Sequence, residues 1–394
     1  MDRTGSSRSA RVLVLAEGAI PSAELGVHAV FAALAAAGDC ELRTGSSKAP
    51  RRDDLAWADA LVLVRGAAPA ERRLLVEARR LGRRVATYMD DDLENVPAAA
   101  RSGVFYASPV VKSNVAFVVG SADDVLVCSE RLGAVLAARH GRDTVLMLQP
   151  RPPGGLEAAP PPARNGEPVR VGFLGSVDHG PFFDDLLAEP LRRIRAAHGP
   201  RVDFVFAGAR PAIAREIGAE HHEFVLGLAT WRARARSLGV QIGLAPLPDT
   251  PFHRCKYWNK FLEYASLGIA GIYSSVPPNA DVVVDRSTGL LVPNRPDAWL
   301  AALDELIANA ALRARLAAAA WSDGEDRFSE AVLLPGWRRS LAPLLAHRAP
   351  EVRRDDVQLL AGSLRFVRDR LAVYGPLGLA DRAVGRLTGR LRPS

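Results

Sequence analysis

Residues 256–274 read KYWNKFLEYASLGIAGIYS, and Lys256 and Lys260 are two of only four lysines in a chain with forty-seven arginines. From composition alone, a lysine pair this close arises roughly one time in eight. Two ammonium groups one helical turn apart can meet phosphate oxygens as compact point charges. His253 and Arg254, in the preceding PDTPFHR segment, bring two more potential cations to the same helix start. Backbone N–H groups point outward at a helix N-terminus and favour anions there. Glu263 follows three residues after Lys260, and a carboxylate beside a diphosphate can accept hydrogen bonds from a ribose diol. Together these residues describe a nucleoside-diphosphate site that needs no metal. The competing account is a solvated helix face whose single Lys–Glu pair contributes about 0.3 kcal/mol. On a helix over 257–267, Trp258, Phe261, Leu262 and Ala265 make one apolar stripe, and Lys256, Lys260 and Glu263 fall opposite.

A second cluster is acidic. YMDDDLENVP puts Asp90, Asp91 and Asp92 at the end of a strand. Hard divalent cations prefer such carboxylates, and capping of the next helix uses them equally well. Asp90 could hydrogen-bond a sugar hydroxyl or, as a general base, take the proton of an acceptor alcohol. Glu17 and His28, in or just after the loop EGAIPSAELG, are further candidates for that role. This loop exceeds the usual two to six residues, which suggests contact with substrate. It lacks Gly-x-Gly-x-x-Gly spacing, so no nicotinamide cofactor is expected.

These groups must be positioned by an alternation of apolar strands and helices. RVLVLA (11–16), ALVLVRG (60–66), RVATYM (84–89) and DVLVCS (124–129) each precede a helical stretch, the first helix closing at Gly38. Strands apolar throughout, alternating with helices, predict a parallel sheet covered on both faces. The proline- and glycine-rich segment 151–168 then breaks the rhythm as a linker. Alternation restarts with VRVGFLG (169–175), VDFVFAG (202–208), VQIGLAPL (240–247) and GIAGIYS (268–274). The expected organisation is a disordered 1–10, an α/β domain over 11–150, the linker, and a second α/β domain over 169–345. A basic amphipathic tail completes it at 346–394. Two such halves suggest a cleft between them that holds substrate, and ligands of parallel sheets gather at the carboxyl ends of the strands.

Composition narrows the function class. Hydrophobic residues are 48% and charged residues 24%, a globular balance. Three scattered cysteines show neither metal spacing nor a disulfide framework, so a reducing cytoplasm is the expected compartment. No signal peptide and no bilayer-spanning stretch is evident. The net charge of +7 is spread along the chain without nucleic-acid motifs. The tail segments VQLLAGSLRFVRDRLAVYG and LADRAVGRLTGRL fit either of two roles: packing back on the chain, or lying on an anionic membrane surface.

The run Lys260-Phe-Leu-Glu263-Tyr-Ala-Ser-Leu-Gly268 resembles the donor-binding signature of GT-B glycosyltransferases of the family four type. DVVVDRSTGLLVPNRPDAWLAALDELIANAALRARL resembles the same family as a strand, a turn and a closing helix pair. Gly172-Phe-Leu-Gly175-Ser176 also fits, at the start of the second domain. The resemblance covers about 169–322 strongly and 11–150 more weakly. It implies two Rossmann-like domains, the nucleotide sugar on the second and the acceptor on the first. It implies that Glu263 binds the ribose, that Gly18 lies near the donor phosphates, and that Gly175 and Ser176 line the donor site. The family's earlier glutamate is replaced by Cys255, and its Arg and Lys after the second-domain glycine are missing from GSVDHGPFFDDL. Lys256 and Lys260, with Arg254, are therefore expected to stabilise the leaving diphosphate. The expected activity is metal-independent, configuration-retaining transfer from a nucleotide sugar to a glycan or lipid-linked acceptor, in bacterial surface or secreted glycan synthesis. It requires no cofactor and no nucleic acid, and takes place at the inner face of the plasma membrane where the tail binds it. A GT-A enzyme using the aspartate turn, a sugar-nucleotide epimerase and a non-catalytic scaffold are the alternatives.

Overall fold

The computed structural model describes residues 8–18, 20, 23–98, 100, 102–153, 167–175, 180–359, 369 and 371–373. Ser176, most of the linker and most of the tail lie outside these described residues. The chain divides into two units, residues 1–18, 26–147 and 334–394 in the first and 19–25 and 148–333 in the second.

In the first unit, β1 (Ala10–Ala16), α1 (Ala29–Ala36), β2 (Cys40–Ser46), α2 (Arg52–Trp57) and β3 (Ala60–Val64) come first. Then follow α3 (Pro69–Arg80), β4 (Arg84–Met89), α4 (Gly103–Ala107), α5 (Pro109–Ser121), β5 (Asp124–Val127), α6 (Glu130–His140) and β6 (Val145–Leu146). The strands form one sheet in the order β2-β1-β3-β4-β5-β6, parallel at every pairing. β1, β3, β4 and β5 are nearly all buried, as their unbroken apolar sequences require. β3 stops at Val64 and not at Gly66, because Arg65 and Gly66 both turn into the left-handed region at φ 69° and 61°.

The second unit runs β7 (Val169–Gly175), α7 (Gly180–His198), β8 (Val202–Gly208), α8 (Ala212–Glu216), β9 (Glu220–His222), α9 (Leu228–Ser237) and β10 (Ile242–Ala245). It continues with α10 (Pro251–Arg254), α11 (Asn259–Leu267), β11 (Ala270–Ser274), α12 (Asn279–Val282), β12 (Leu290–Val292), α13 (Pro296–Ala308) and α14 (Ala310–Phe328). Its sheet has the order β12-β11-β10-β7-β8-β9. The DVVVD stretch, read from sequence as a strand, instead begins as α12, and the edge strand is Leu290–Val292 in the expected turn. Val282 and Val283 are buried either way, so β-branched composition reports burial there more than pairing.

α15 (Glu330–Ser340) and α16 (Ala342–Ala346) straddle and follow the return to the first unit. The sequence boundary at 345 therefore moves to 334. Long-range bonds explain the shift: Arg338 pairs with Asp39, the Ala349 N–H donates to Asp59, and the Gln358 N–H donates to Glu77. The described part of the tail packs on this unit too, where Arg73 forks onto Asp369 at 2.7 Å and the Ser108 hydroxyl donates to the Val373 carbonyl.

Candidate functional site

In a doubly wound sheet the ligand crevice opens where strand order reverses, beyond the carboxyl ends. In the second unit that point lies between β7 and β10, which are neighbours although β8 and β9 come between them in sequence. β7 ends at Gly175, and glycine is demanded there. A Cβ would sit 2.8 Å from Phe173 Cζ and 3.3 Å from Lys260 Cε. The adjoining Gly208, at φ 87°, is more constrained, since its Cβ would fall 2.0 Å from the Gly175 carbonyl oxygen.

Lys260 reaches this strand end from the first turn of α11. Its Nζ donates to Glu263 Oε2 at 2.6 Å and lies 5.9 Å from the centre of the Phe173 ring. The other carboxylate oxygen of Glu263 accepts from Trp231 Nε1 at 2.7 Å, and the Trp231 ring packs on Phe224 with centroids 4.7 Å apart. The Lys260 and Glu263 side chains are only 26% and 14% exposed, so this is not a solvated face. Each carboxylate oxygen has two lone pairs and spends one here. Glu263 is thus held in place with acceptor capacity left for two hydroxyls.

The helix beneath is bolted down on the other side. The Tyr264 hydroxyl donates to the Leu244 carbonyl at 2.6 Å, and Arg232 donates to the Ser266 hydroxyl at 2.9 Å. Gly268 closes α11 in the left-handed conformation expected of a C-cap.

The neighbouring cations behave less uniformly than their sequence suggests. α11 begins at Asn259, after a cap residue Trp258 with ψ 45°. Lys256 therefore sits in the turn before the helix, where the sequence arithmetic would have it share a face with Lys260. Its Nζ lies 4.6 Å from the centre of the Phe252 ring. Arg254 is forked onto Asp249 at 2.6 and 2.9 Å and is half exposed. Burial, and then the charge of Lys256, push His253 down to about 4. It is neutral at pH 7 and does not count among the cations; its Nδ1 is hydrogen-bonded to the Thr250 hydroxyl at 2.7 Å.

The first unit has its own rim of polar groups at the carboxyl ends of its strands. Arg65 forks onto both oxygens of Asp90 at 2.7 and 2.6 Å, and Asp90 is 6% exposed. Asp92 turns away to Arg139, at 2.7 and 2.9 Å. Asp91 lies 3.8 Å from the same Arg65, so Asp90 and Asp91 share one arginine while Asp92 takes another, and among the described residues no three His, Cys, Asp or Glu side chains converge as a metal site. Glu17 is half exposed and pairs with Lys48 at 2.9 Å. Gly18 is exposed, and a Cβ there would meet nothing within 4 Å, so the chain's own packing does not require a glycine. Behind this rim lies Glu71, 2% exposed, whose oxygens accept from the Ser47 hydroxyl and the Ala68 N–H.

No protein-family model matches the sequence, and no curated protein matches it. Solved structures do. The HepE protein of Anabaena, crystallised with UDP and glucose, superposes with a TM-score of 0.58 at 12% identity, covering 84% of this chain and 99% of that one. A glycosyltransferase from Rickettsia africae gives 0.57 at 13%, covering 87% and 100%. Sucrose-phosphate synthase from Thermosynechococcus elongatus gives 0.56 at 14%, covering 86% and 99%. The chain has the GT-B fold of glycosyltransferases. At these identities the likeness is one of architecture, and it agrees with the two six-stranded parallel sheets.

Within that GT-B frame the structure brings Gly175, Lys260 and Glu263 together, and places Arg254 and Lys256 on the segment just before α11. Gly18 and Asp90 belong to the other unit. Sequence reading missed Trp231, Phe224 and Arg65. Trp231 is thirty-two residues from the carboxylate it holds, and no local spacing announces that. Arg65 is one of forty-seven arginines and is marked only by the turn Arg65–Gly66 after a strand.

Proposed function

We propose that this protein is a glycosyltransferase that takes its sugar from a nucleoside-diphosphate donor bound at the carboxyl edge of the second sheet. The observation that carries the reading is Glu263, half-buried and fixed by Lys260 and Trp231 beside the glycine strand ends Gly175 and Gly208. In this reading Glu263 accepts hydrogen bonds from the ribose diol. Lys260 turns from Glu263 to the diphosphate, with Lys256 and Arg254 as further cations. Positive groups already placed around the departing phosphates stabilise the charge that develops as the anomeric bond breaks.

HepE, a protein of the same fold, has been crystallised with UDP-glucose, which supports a nucleotide sugar as the donor class. Asp90, clasped by Arg65, is assigned to the acceptor side as a hydrogen-bond acceptor for a hydroxyl. The transfer is proposed to retain configuration and to need no divalent metal, with a glycan or lipid-linked acceptor in surface-polysaccharide synthesis and, through the tail, contact with the inner membrane face.

Thermal-shift screening against UDP, GDP, ADP, dTDP and CMP, with and without a chelator, tests this directly. The expected result is a chelator-insensitive rise with one diphosphate. A rise that needs metal would move the donor to the aspartate turn, and no rise with any nucleotide would overturn the reading. Lys260→Ala should weaken binding of the responding diphosphate at least about tenfold, or ~1.4 kcal/mol; unchanged affinity would remove Lys260 from the site.

A further inference from the structure

At the amino ends of the first sheet's strands, at the opposite end of that sheet from Asp90, a cavity of about 230 Å³ is lined by Arg8, Arg11, Trp57, Asp59, Arg83 and Pro350 among others. Its charges do not balance. Asp59, 1% exposed, receives a fork from Arg8 and the backbone N–H groups of Arg11 and Ala349. Those four donors take up the lone-pair directions of one carboxylate. Burial alone would raise its pKa, but the donors win and hold it below the usual carboxylate range.

Arg83 is 3% exposed and spends its two terminal nitrogens on neutral acceptors, the Pro350 carbonyl at 2.6 Å and the Ala56 carbonyl at 2.8 Å. Its Nε is buried and unpartnered, and so is the Nε of Arg11. Glu351, the remaining carboxylate on the wall, is exposed. Three guanidinium groups therefore face two carboxylates, and the more deeply buried carboxylate has no lone pair to spare. Burying a cation without an anionic partner is costly. A small oxyanion in the cavity would neutralise the surplus charge and accept from the guanidinium N–H groups that face it.

The geometry points to a phosphate-binding pocket in which Arg11 and Arg83 are the ligands and a phosphate group, free or as a small phosphomonoester, is the guest. The volume holds a phosphate with a few carbon atoms attached. Occupancy would also fix residues 349–352, which already hang on Asp59 through the Ala349 N–H and on Arg83 through the Pro350 carbonyl.

The test is isothermal titration of inorganic phosphate, and separately of methyl phosphate, at constant ionic strength set with chloride. The full chain carries Arg254→Ala, Lys256→Ala and Lys260→Ala, so that the cations of the proposed donor site are removed. One saturable site is expected, weakened at least about tenfold by Arg11→Gln, whose melting temperature without phosphate should match its parent. Equal affinity for methyl phosphate would identify a monoester pocket, and preference for inorganic phosphate a free-anion site. Arg83→Gln should abolish binding, with circular dichroism showing that the fold survives the loss of its two carbonyl contacts. Absence of saturable heat, or equal affinity in a folded Arg11→Gln protein, would overturn the proposal whatever the fate of the donor site.

Discussion

Glu71 offers a perturbation whose size follows from the structure. It occupies the third position of α3, where Oε2 accepts from the Ala68 N–H at 2.9 Å and Oε1 from the Ser47 hydroxyl at 2.7 Å. Burial raises its pKa to about 7, against the opposing pull of those two donors and with a small addition from Glu17. In the unfolded chain the carboxyl titrates near the ordinary 4.5. Between these values the folded protein keeps a proton that the unfolded chain has lost. Its contribution to stability is full below the unfolded pKa and is lost as pH rises through about 7. At ~1.4 kcal/mol per pKa unit the whole effect is about 3 kcal/mol, of which about 2 kcal/mol falls between pH 5 and pH 8.

Glu71→Gln copies the protonated acid. The amide oxygen can accept from Ala68 and the amide nitrogen can donate to the Ser47 oxygen, so the hydrogen bonds survive and only the titration goes. Urea unfolding of both proteins at pH 5 and pH 8 reads the effect, because every other titrating group cancels in the difference. The variant should gain about 2 kcal/mol on wild type between the two pH values. A stability difference that does not change with pH would refute a neutral buried Glu71.

Two further outcomes follow from the second unit. Trp231→Phe keeps a ring against Phe224 but removes the donor to Glu263 Oε1; donor KM should rise about fivefold, or ~1 kcal/mol, with kcat nearly unchanged, and steady-state kinetics at saturating acceptor would show it. Gly208→Ala puts a Cβ where the Gly175 carbonyl oxygen already is; it should destabilise the protein by about 3 kcal/mol or more, and a melting temperature within a degree of wild type would contradict the strand-end geometry.

The legible parts of this fold are those where burial dictates residue type. β3, β7 and β8 are buried along all or most of their length, so their unbroken apolar runs could be read directly. β2, an edge strand reading CELRTGS with most of its residues exposed or half-buried, has no such signature and was missed. In the site, Lys260 and Glu263 were legible because three residues on a helix is a contact distance. Trp231 was not, because only the folding of α9 beside α11 supplies it. The return of the chain to the first unit at 334 was illegible for the same reason. It rests on single bonds such as Arg338 to Asp39 across 299 positions, which no local pattern encodes.

The preference for lysine at position 260 can be argued one step further. The stem passes so close to the end of β7 that its Cε would lie 3.3 Å from a Cβ on Gly175, and the ammonium then reaches one oxygen of Glu263 while Trp231 holds the other. A guanidinium prefers to fork onto both carboxylate oxygens at once. In Lys260→Arg it would compete with Trp231 for Oε1 and tie the cation to Glu263, where an ammonium can let go and turn to a phosphate. If that freedom is why a chain so poor in lysine keeps one here, Lys260→Arg retains the charge yet binds nucleoside diphosphate about as weakly as Lys260→Ala. Titration of the three proteins with the diphosphate that stabilises wild type decides it. An arginine variant with wild-type affinity would show that position 260 needs only a positive charge.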